Sequence, residues 1–322
     1  MSDLILLDKS NENFVDLWEK SVDSCMQSTF LHKRKFLSYH GDRFNDQSLI
    51  LMSGNKVYGL FPAAQQPGNE KQITSHPGIT YGGLLSTFKL RGEQLISAFD
   101  QICAHYREKG YETLLYKTVP SVFHRIVCQD DLYVLFRKGA QCVRRDLSAI
   151  IDLNNRAKPS KGHKWSVGKA RKNDLVAVEG AEMAGEIWEV LANRLQEKYG
   201  TKPVHTLDEL LDLYSRFPKE IEFRGLQHKG ELVAGCVLFN SNSVCHTQYI
   251  TSSGKGDELF ALNLLLENAI ADAQSSSYRY FDFGISNEDQ GRYLNERLYS
   301  FKKHFGAGSM VHEFFEIDLL GE

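Results

Sequence analysis

Hydrophobic positions recur at two spacings along the chain, and the two spacings alternate in a fixed order. Short apolar runs at residues 49–52 and 57–61 flank Ser53-Gly54-Asn55-Lys56, which predicts a β-hairpin. Residues 221–226 and 232–239 flank His228-Lys229-Gly230-Glu231 and predict a second. Each hairpin is followed by a helix-spaced segment and another strand: 94–109 then 111–116, and 259–274 then 278–283. The same order of elements twice predicts an α/β (α+β) protein of two similar lobes, each a mixed, largely antiparallel sheet flanked by helices, with the groove between them as the natural site. Residues 154–163, rich in Asn, Lys, Pro and Gly, mark the join, so the lobes are expected at 1–154 and 155–322.

The densest chemistry follows the last predicted strand. Tyr278-Arg279-Tyr280-Phe281-Asp282-Phe283-Gly284 reads as a covered strand ending in an acid and a glycine. Ligands gather where such strands stop. Leu294, Leu298, Phe301 and Phe305 then lie at helical spacing, and Lys302 and Lys303 are expected to project from the helix end. There they could hold a phosphate or an oxyanion; the same spacing fits a capped surface helix whose lysines complement its dipole. Another helix is expected at 186–199, with Ile187, Val190, Leu191 and Leu195 on one face and Arg194 off it.

Charge and composition narrow the classes. The chain of 322 residues is 42% hydrophobic and 25% charged, an ordinary globular composition, and its net charge of −3 gives no global footprint for DNA or other nucleic acid. Locally, Arg156, Lys158, Lys161, Lys164, Lys169, Arg171 and Lys172 surround Trp165 with no acid among them. Such a run can neutralise a phosphate-bearing substrate or an RNA acceptor stem, or simply be a solvated helix face. No long apolar window suggests a membrane span, and residues 1–8 lack the features of a signal peptide, so a cytoplasmic protein is expected. Six cysteines without a C-x-x-C pair read as buried thiols, and eleven histidines without an H-E-x-x-H motif make a metal site unexpected. Neither a P-loop, a G-x-G-x-x-G fingerprint nor a G-x-S-x-G elbow occurs. The loop Ser252-Ser253-Gly254-Lys255-Gly256-Asp257 offers backbone amides to a phosphate or is a flexible connection, and the glycine-rich segment around Tyr81 admits a substrate or is a plain turn.

Taken together, several motifs resemble one family. They are residues 75–85, Lys117-Thr118-Val119-Pro120 with Phe123-His124-Arg125, Arg144-Arg145-Asp146-Leu147-Ser148, Lys169-Ala170-Arg171-Lys172-Asn173, Asn263-Leu264-Leu265, residues 280–284, and Phe301-Lys302 with Phe305-Gly306. From about residue 28 to 318 the chain resembles the FemAB-like (FemX-type) double-GNAT-fold acyltransferases, in the variety found with surface-polysaccharide synthesis. The resemblance implies two GNAT-like lobes and transfer of an acyl group to an amine. Both acyl-CoA (acetyl-CoA) and aminoacyl-tRNA are compatible with the resemblance as donor, with no metal; the acidic net charge and the lack of an added RNA-binding arm favour acyl-CoA and leave aminoacyl-tRNA as the alternative. An amino sugar, nucleotide sugar or cell-envelope precursor is the implied acceptor, handled without a membrane span at or near the inner membrane. Lys302 looks like the family's phosphate- or transition-state-stabilising lysine, and Tyr249 like its substrate-binding tyrosine. Gly254, Lys255, Gly256 and Asn263 are the candidate donor-binding residues; Lys169, Arg171, Lys172, Arg194 and Tyr81 join Tyr249 as candidate substrate contacts. Amine attack needs a base, for which Asp282 and Glu288 are candidates; Asp282 equally fits a strand-end acid capping the next loop. Two further readings stay open: an aminoacyl-tRNA-dependent transferase acting on a peptidoglycan-type precursor, and a carbohydrate-binding subunit that keeps the fold without the chemistry. The long helical arm of FemA has no counterpart, and the glycines of 253–256 do not match the usual acetyl-CoA loop of GNAT enzymes.

Overall fold

A computed structural model describes residues 4–321. The chain begins with β1 (Ile5–Leu7), α1 (Phe14–Val22) and α2 (Arg34–Leu37), followed by β2 (Leu49–Ser53), β3 (Lys56–Phe61), β4 (Ala64–Gln66), β5 (Asn69–Thr74) and β6 (Leu85–Ser86). Then come α3 (Glu93–Glu108), β7 (Thr113–Lys117), α4 (Asp130–Arg137), β8 (Gln141–Asp152), α5 (Lys161–Ala170), β9 (Leu175–Glu179), α6 (Ala184–Tyr199) and α7 (Leu207–Arg216). The rest is β10 (Ile221–His228), β11 (Glu231–Ser241), β12 (Val244–Ser252), α8 (Gly254–Glu258), α9 (Ala261–Ser275), β13 (Tyr280–Ile285), β14 (Asn287–Glu288), β15 (Tyr293–Leu294), α10 (Glu296–Lys303) and β16 (Gly308–Asp318). Mixed sheets, mostly antiparallel and flanked by helices, agree with the expected fold class, and both predicted hairpins form, as β2–β3 and β10–β11.

The chain divides into two compact units: residues 1–146, 289–292 and 311–322 form the first, and 147–288 with 293–310 the second. The closing segment Val311–Glu322 therefore belongs with the N-terminal residues, which a single cut of the chain does not provide. In the first unit the strand orders are β1-β2-β3-β6 and β4-β5-β7-β16, with β5 and β7 parallel. Its core joins Phe99, Ile102 and Tyr106 of α3 to Leu114 and Tyr116 of β7.

The second unit orders its strands β8-β13-β12-β11-β10-β9, antiparallel except for β12 with β13. Strand β11 is buried from Leu232 to Ser241. Because side chains alternate along a strand, Ala234, Cys236 and Leu238 reach one face and join the core with Leu265 and Leu266 of α9, while Gly235 opens the other face to Ile187 of α6. A Cβ at Gly235 would come within 2.8 Å of the Ile187 side chain, so the glycine sets how closely α6 lies on the sheet. Coverage on both faces explains why β11 reads as an unbroken apolar run.

Candidate active site

Strand β13 brings aromatics into the core at Phe281 and Phe283 and, by alternation, turns Asp282 the other way. Asp282 is fully buried (0% exposed), and a buried carboxylate needs donors. They come from its two neighbouring strands and its own. The Ser148 hydroxyl of β8 donates to Oδ1 at 2.5 Å, the His246 Nδ1–H of β12 to Oδ2 at 2.7 Å, and the Gly284 N–H to Oδ1 at 3.1 Å. Asp282 thus does close the following turn, through Gly284, but its stronger partners are Ser148 and His246.

Beneath this carboxylate the backbone is bent. Gly284 has φ +73°, a region glycine enters freely, and the β13–β8 register shifts between Asp282 and Ile285. A Cβ on Gly284 would stand 3.3 Å from His246 Cε1, so the ring lies over a backbone kept bare for it. The bent segment is held from below by Lys302 of α10, whose Nζ donates to the Gly284 carbonyl at 2.9 Å and the Ile285 carbonyl at 2.7 Å. Lys302 is 3% exposed, which corrects the expectation that it projects from the helix end; Lys303 does project. The reason is phase: Lys302 is four residues after Leu298, on the helix's inward stripe. Burial draws the Lys302 ammonium down to about 8, against the pull of the Asp282 charge.

The parallel pairing of β12 with β13 covers only Val244–His246 against Tyr280–Asp282. On its other side β12 bulges against β11, where Val237 pairs with Tyr249 and Leu238 with Thr247, leaving Gln248 between them. Past the paired residues, β12 therefore has no ladder partner on its β13 side among the described residues. The Tyr249 hydroxyl lies 2.5 Å from His205 Nδ1 and its ring meets Trp188 edge-on at 5.2 Å; burial pushes its ionisation up.

Farther along β12 is a cavity of about 920 Å³ lined by Arg194, Ile250, Thr251, Asp257, Glu288 and Phe301, among others. Arg194 is ion-paired to Asp257, and Glu288 accepts from Asn295 Nδ2 at 2.8 Å. In the loop after β12, Ser253 caps α8 by accepting from the Gly256 N–H at 3.1 Å. A Cβ at Gly256 would lie 2.0 Å from the Val233 carbonyl oxygen, so only glycine fits. Gly254 is exposed, and exposed Lys255 is paired with Glu258.

The other sequence candidates lie elsewhere. Asn263 contacts His163 at 3.3 Å, beside a buttress in which Glu267 accepts from His163 Nε2 at 2.9 Å and from Arg156 at 2.9 and 2.8 Å, while Arg156 Nε donates to the Phe305 carbonyl at 2.8 Å. Burial pushes the Glu267 carboxyl up, but the His163 and Arg156 bonds outweigh it and hold it near 2. Lys169, Arg171 and Lys172 are exposed at the end of α5, with Lys169 Nζ 5.6 Å from the centroid of the 57% exposed Trp165. Tyr81 belongs to the first unit, buried against Phe123 at 4.8 Å. His246 and Ser148 are not among the candidate site residues of the sequence, although Ser148 closes one of the family-like motifs. A signal for His246 existed: a strand–helix–strand crossover makes β12 and β13 neighbours, so a polar residue in the first half of β12 falls beside Asp282.

Comparison with known proteins bears on the fold. Residues 166–293 match the family model described as Acetyltransferase (GNAT) domain, and the fold is a GNAT fold. Among solved structures, FemX superposes with a TM-score of 0.68 at 12% identity, covering 94% of this chain and 96% of that one. The C-terminal domain of a putative lysylphosphatidylglycerol synthetase from Agrobacterium fabrum gives 0.61 at 11% identity, covering 94% and 91%. A tandem GNAT protein from the clavulanic acid biosynthesis pathway gives 0.53 at 13% identity, covering 99% and 100%. No curated protein matches the chain in sequence.

Proposed function

We propose that the protein is an N-acyltransferase that moves an acyl group, acetyl first, from acyl-CoA to the amine of an amino sugar, nucleotide sugar or cell-envelope precursor. The observation that carries this reading is the early parting of β12 from β13. It leaves the β12 backbone around Gln248 free to hydrogen-bond an extended, amide-bearing chain as an added strand would, next to a buried carboxylate, an imidazole and a lysine. The pantetheine arm of coenzyme A has that form. The Ser253-capped turn and the cavity beside Arg194 then lie on the same strand's continuation, as room for the rest of the donor or for the acceptor. In this reading Lys302 holds the backbone of the site in shape by its two carbonyl bonds.

Titration of the purified chain with coenzyme A and acetyl-CoA, followed by thermal melting, tests it. A ligand bound only by the native state stabilises it by about 2.7 kcal/mol at a hundredfold excess over Kd. A rise in Tm with both ligands supports the reading; no shift at millimolar concentrations removes acyl-CoA as donor. The exposed cations of α5 around Trp165 favour aminoacyl-tRNA as the second reading, since clustered lysines release phosphate counterions on binding. Changing Lys169, Arg171 and Lys172 together to Ala would then weaken tRNA binding and flatten its salt dependence, with the melting temperature unchanged.

A further inference from the structure

We infer that His246 takes the proton from the attacking amine and that Asp282 is the residue that positions it. The inference rests on the acyl-transfer reading above and assigns the proton transfer within it.

The two carboxylates suggested as bases are poorly placed for that work. Asp282 is fully buried, with both oxygens committed to Ser148, His246 and the Gly284 N–H, so an incoming amine finds no open lone pair there. Glu288 is an exposed acid already accepting from Asn295. His246 differs from both. Its Nδ1 faces an acceptor-only carboxylate, which fixes the proton on Nδ1 and leaves the lone pair on Nε2. Among the described residues Nε2 has no hydrogen-bond partner, and the side chain is 19% exposed.

The surroundings hold the ring in this attitude. Ser148 fixes Asp282 from β8, the bare Gly284 lies against Cε1, and Lys302 ties down the two carbonyls that shape the bend. The ring sits two residues before Gln248, where the open backbone of β12 begins, so a thioester carried along that strand brings its carbonyl toward Nε2. In the step itself the amine nitrogen forms a bond to the thioester carbonyl carbon and its proton passes to His246 Nε2. The carbon–sulfur bond then breaks, and the departing thiolate takes that proton from the imidazolium. Amide and free thiol result, with His246 restored and no further reactant needed.

Two measurements on the full chain decide the matter. Long-range ¹⁵N–¹H NMR of histidine-labelled protein should show neutral His246 protonated on Nδ1, and D282N should abolish that preference with the fold intact by circular dichroism. Protonation on Nε2 in the wild type would overturn the inference. With acetyl-CoA as donor and glucosamine as probe amine, H246Q should lower kcat on the order of 10²- to 10⁴-fold while leaving KM for acetyl-CoA in place, with a smaller loss in D282N. A wild-type chain that releases no thiol overturns the acyl-transfer reading and the proton role with it. Wild-type release that H246Q leaves intact overturns the proton role alone.

Discussion

Among the described residues, each unit buries one lysine on a pair of backbone carbonyls, and what stands next to the lysine differs. In the first unit Lys117, at the end of β7, donates to the carbonyls of His76 and Ile79; burial draws it down to about 7, and Arg144 pushes the same way. In the second, Lys302 donates to Gly284 and Ile285, and the neighbouring charge is the opposite one of Asp282. The imidazoles differ as well. Burial drives His32 and His76 of the first unit down to about 3, so they stay neutral and take up no proton near pH 7. His246 is instead partly open to solvent and backed by a carboxylate. The buried lysine is thus a shared device for holding a bent loop, and in the second unit it stands beside an imidazole that is backed by a carboxylate and partly open to solvent.

Replacing the lysines separates these roles most strongly. K302M and K117M should each destabilise by roughly 1–3 kcal/mol for every carbonyl left bare. Only K302M should also abolish acyl transfer, and equal losses of activity in the two variants would erase the distinction. A smaller contrast lies in the glycines. Gly284 (φ +73°) and Gly83 (φ +74°) both occupy the left-handed region, so alanine at either should cost about 1–2 kcal/mol. The new methyl meets His246 Cε1 at 3.3 Å in one case and the Tyr116 hydroxyl at 2.9 Å in the other. Transfer rates should therefore fall in G284A and hold in G83A at temperatures where both are folded.

The weakest contrast is between two buried or half-buried acids, read as stability against pH. Asp131 of the first unit accepts from the Tyr116 hydroxyl at 3.0 Å, and burial pushes it up from 3.8 to about 6. Its folded form holds the proton more tightly than the unfolded chain, so its contribution is lost as pH rises from 3.8 through 6. The Tm of D131N relative to wild type should therefore climb over that interval. Glu267 of the second unit runs the other way, depressed from 4.5 to about 2, so its contribution is present above 4.5 and lost as pH falls toward 2. The deficit of E267Q against wild type should shrink over that range. Melting curves at several pH values check both, and parallel pH trends in the two variants would contradict the assignments.

Much of this was legible in residue order, because hairpins, helices and the aromatic strand around Asp282 depend on local periodicity. Lys302 reads as projecting because it lies near a helix end, whereas its spacing of four from Leu298 puts it on the buried stripe. His246 escaped because its partner is contributed by another strand, 36 residues on, and only the crossover joins them. The return of Val311–Glu322 to the first unit is a pairing of β16 with β7 across the whole chain, with no local signature. Asn263, a candidate donor contact by the resemblance alone, stands 3.3 Å from His163, a contact made across 100 residues with no local signature.

The central claim, that the second unit holds the acyl donor along the open edge of β12, is tested most directly by amide NMR of the full chain titrated with acetyl-CoA. The account predicts the largest shifts at Thr247, Gln248, Tyr249, Gly284 and Ile285. Saturable shifts confined to the first unit, around residues 75–84 and Lys117, would contradict it.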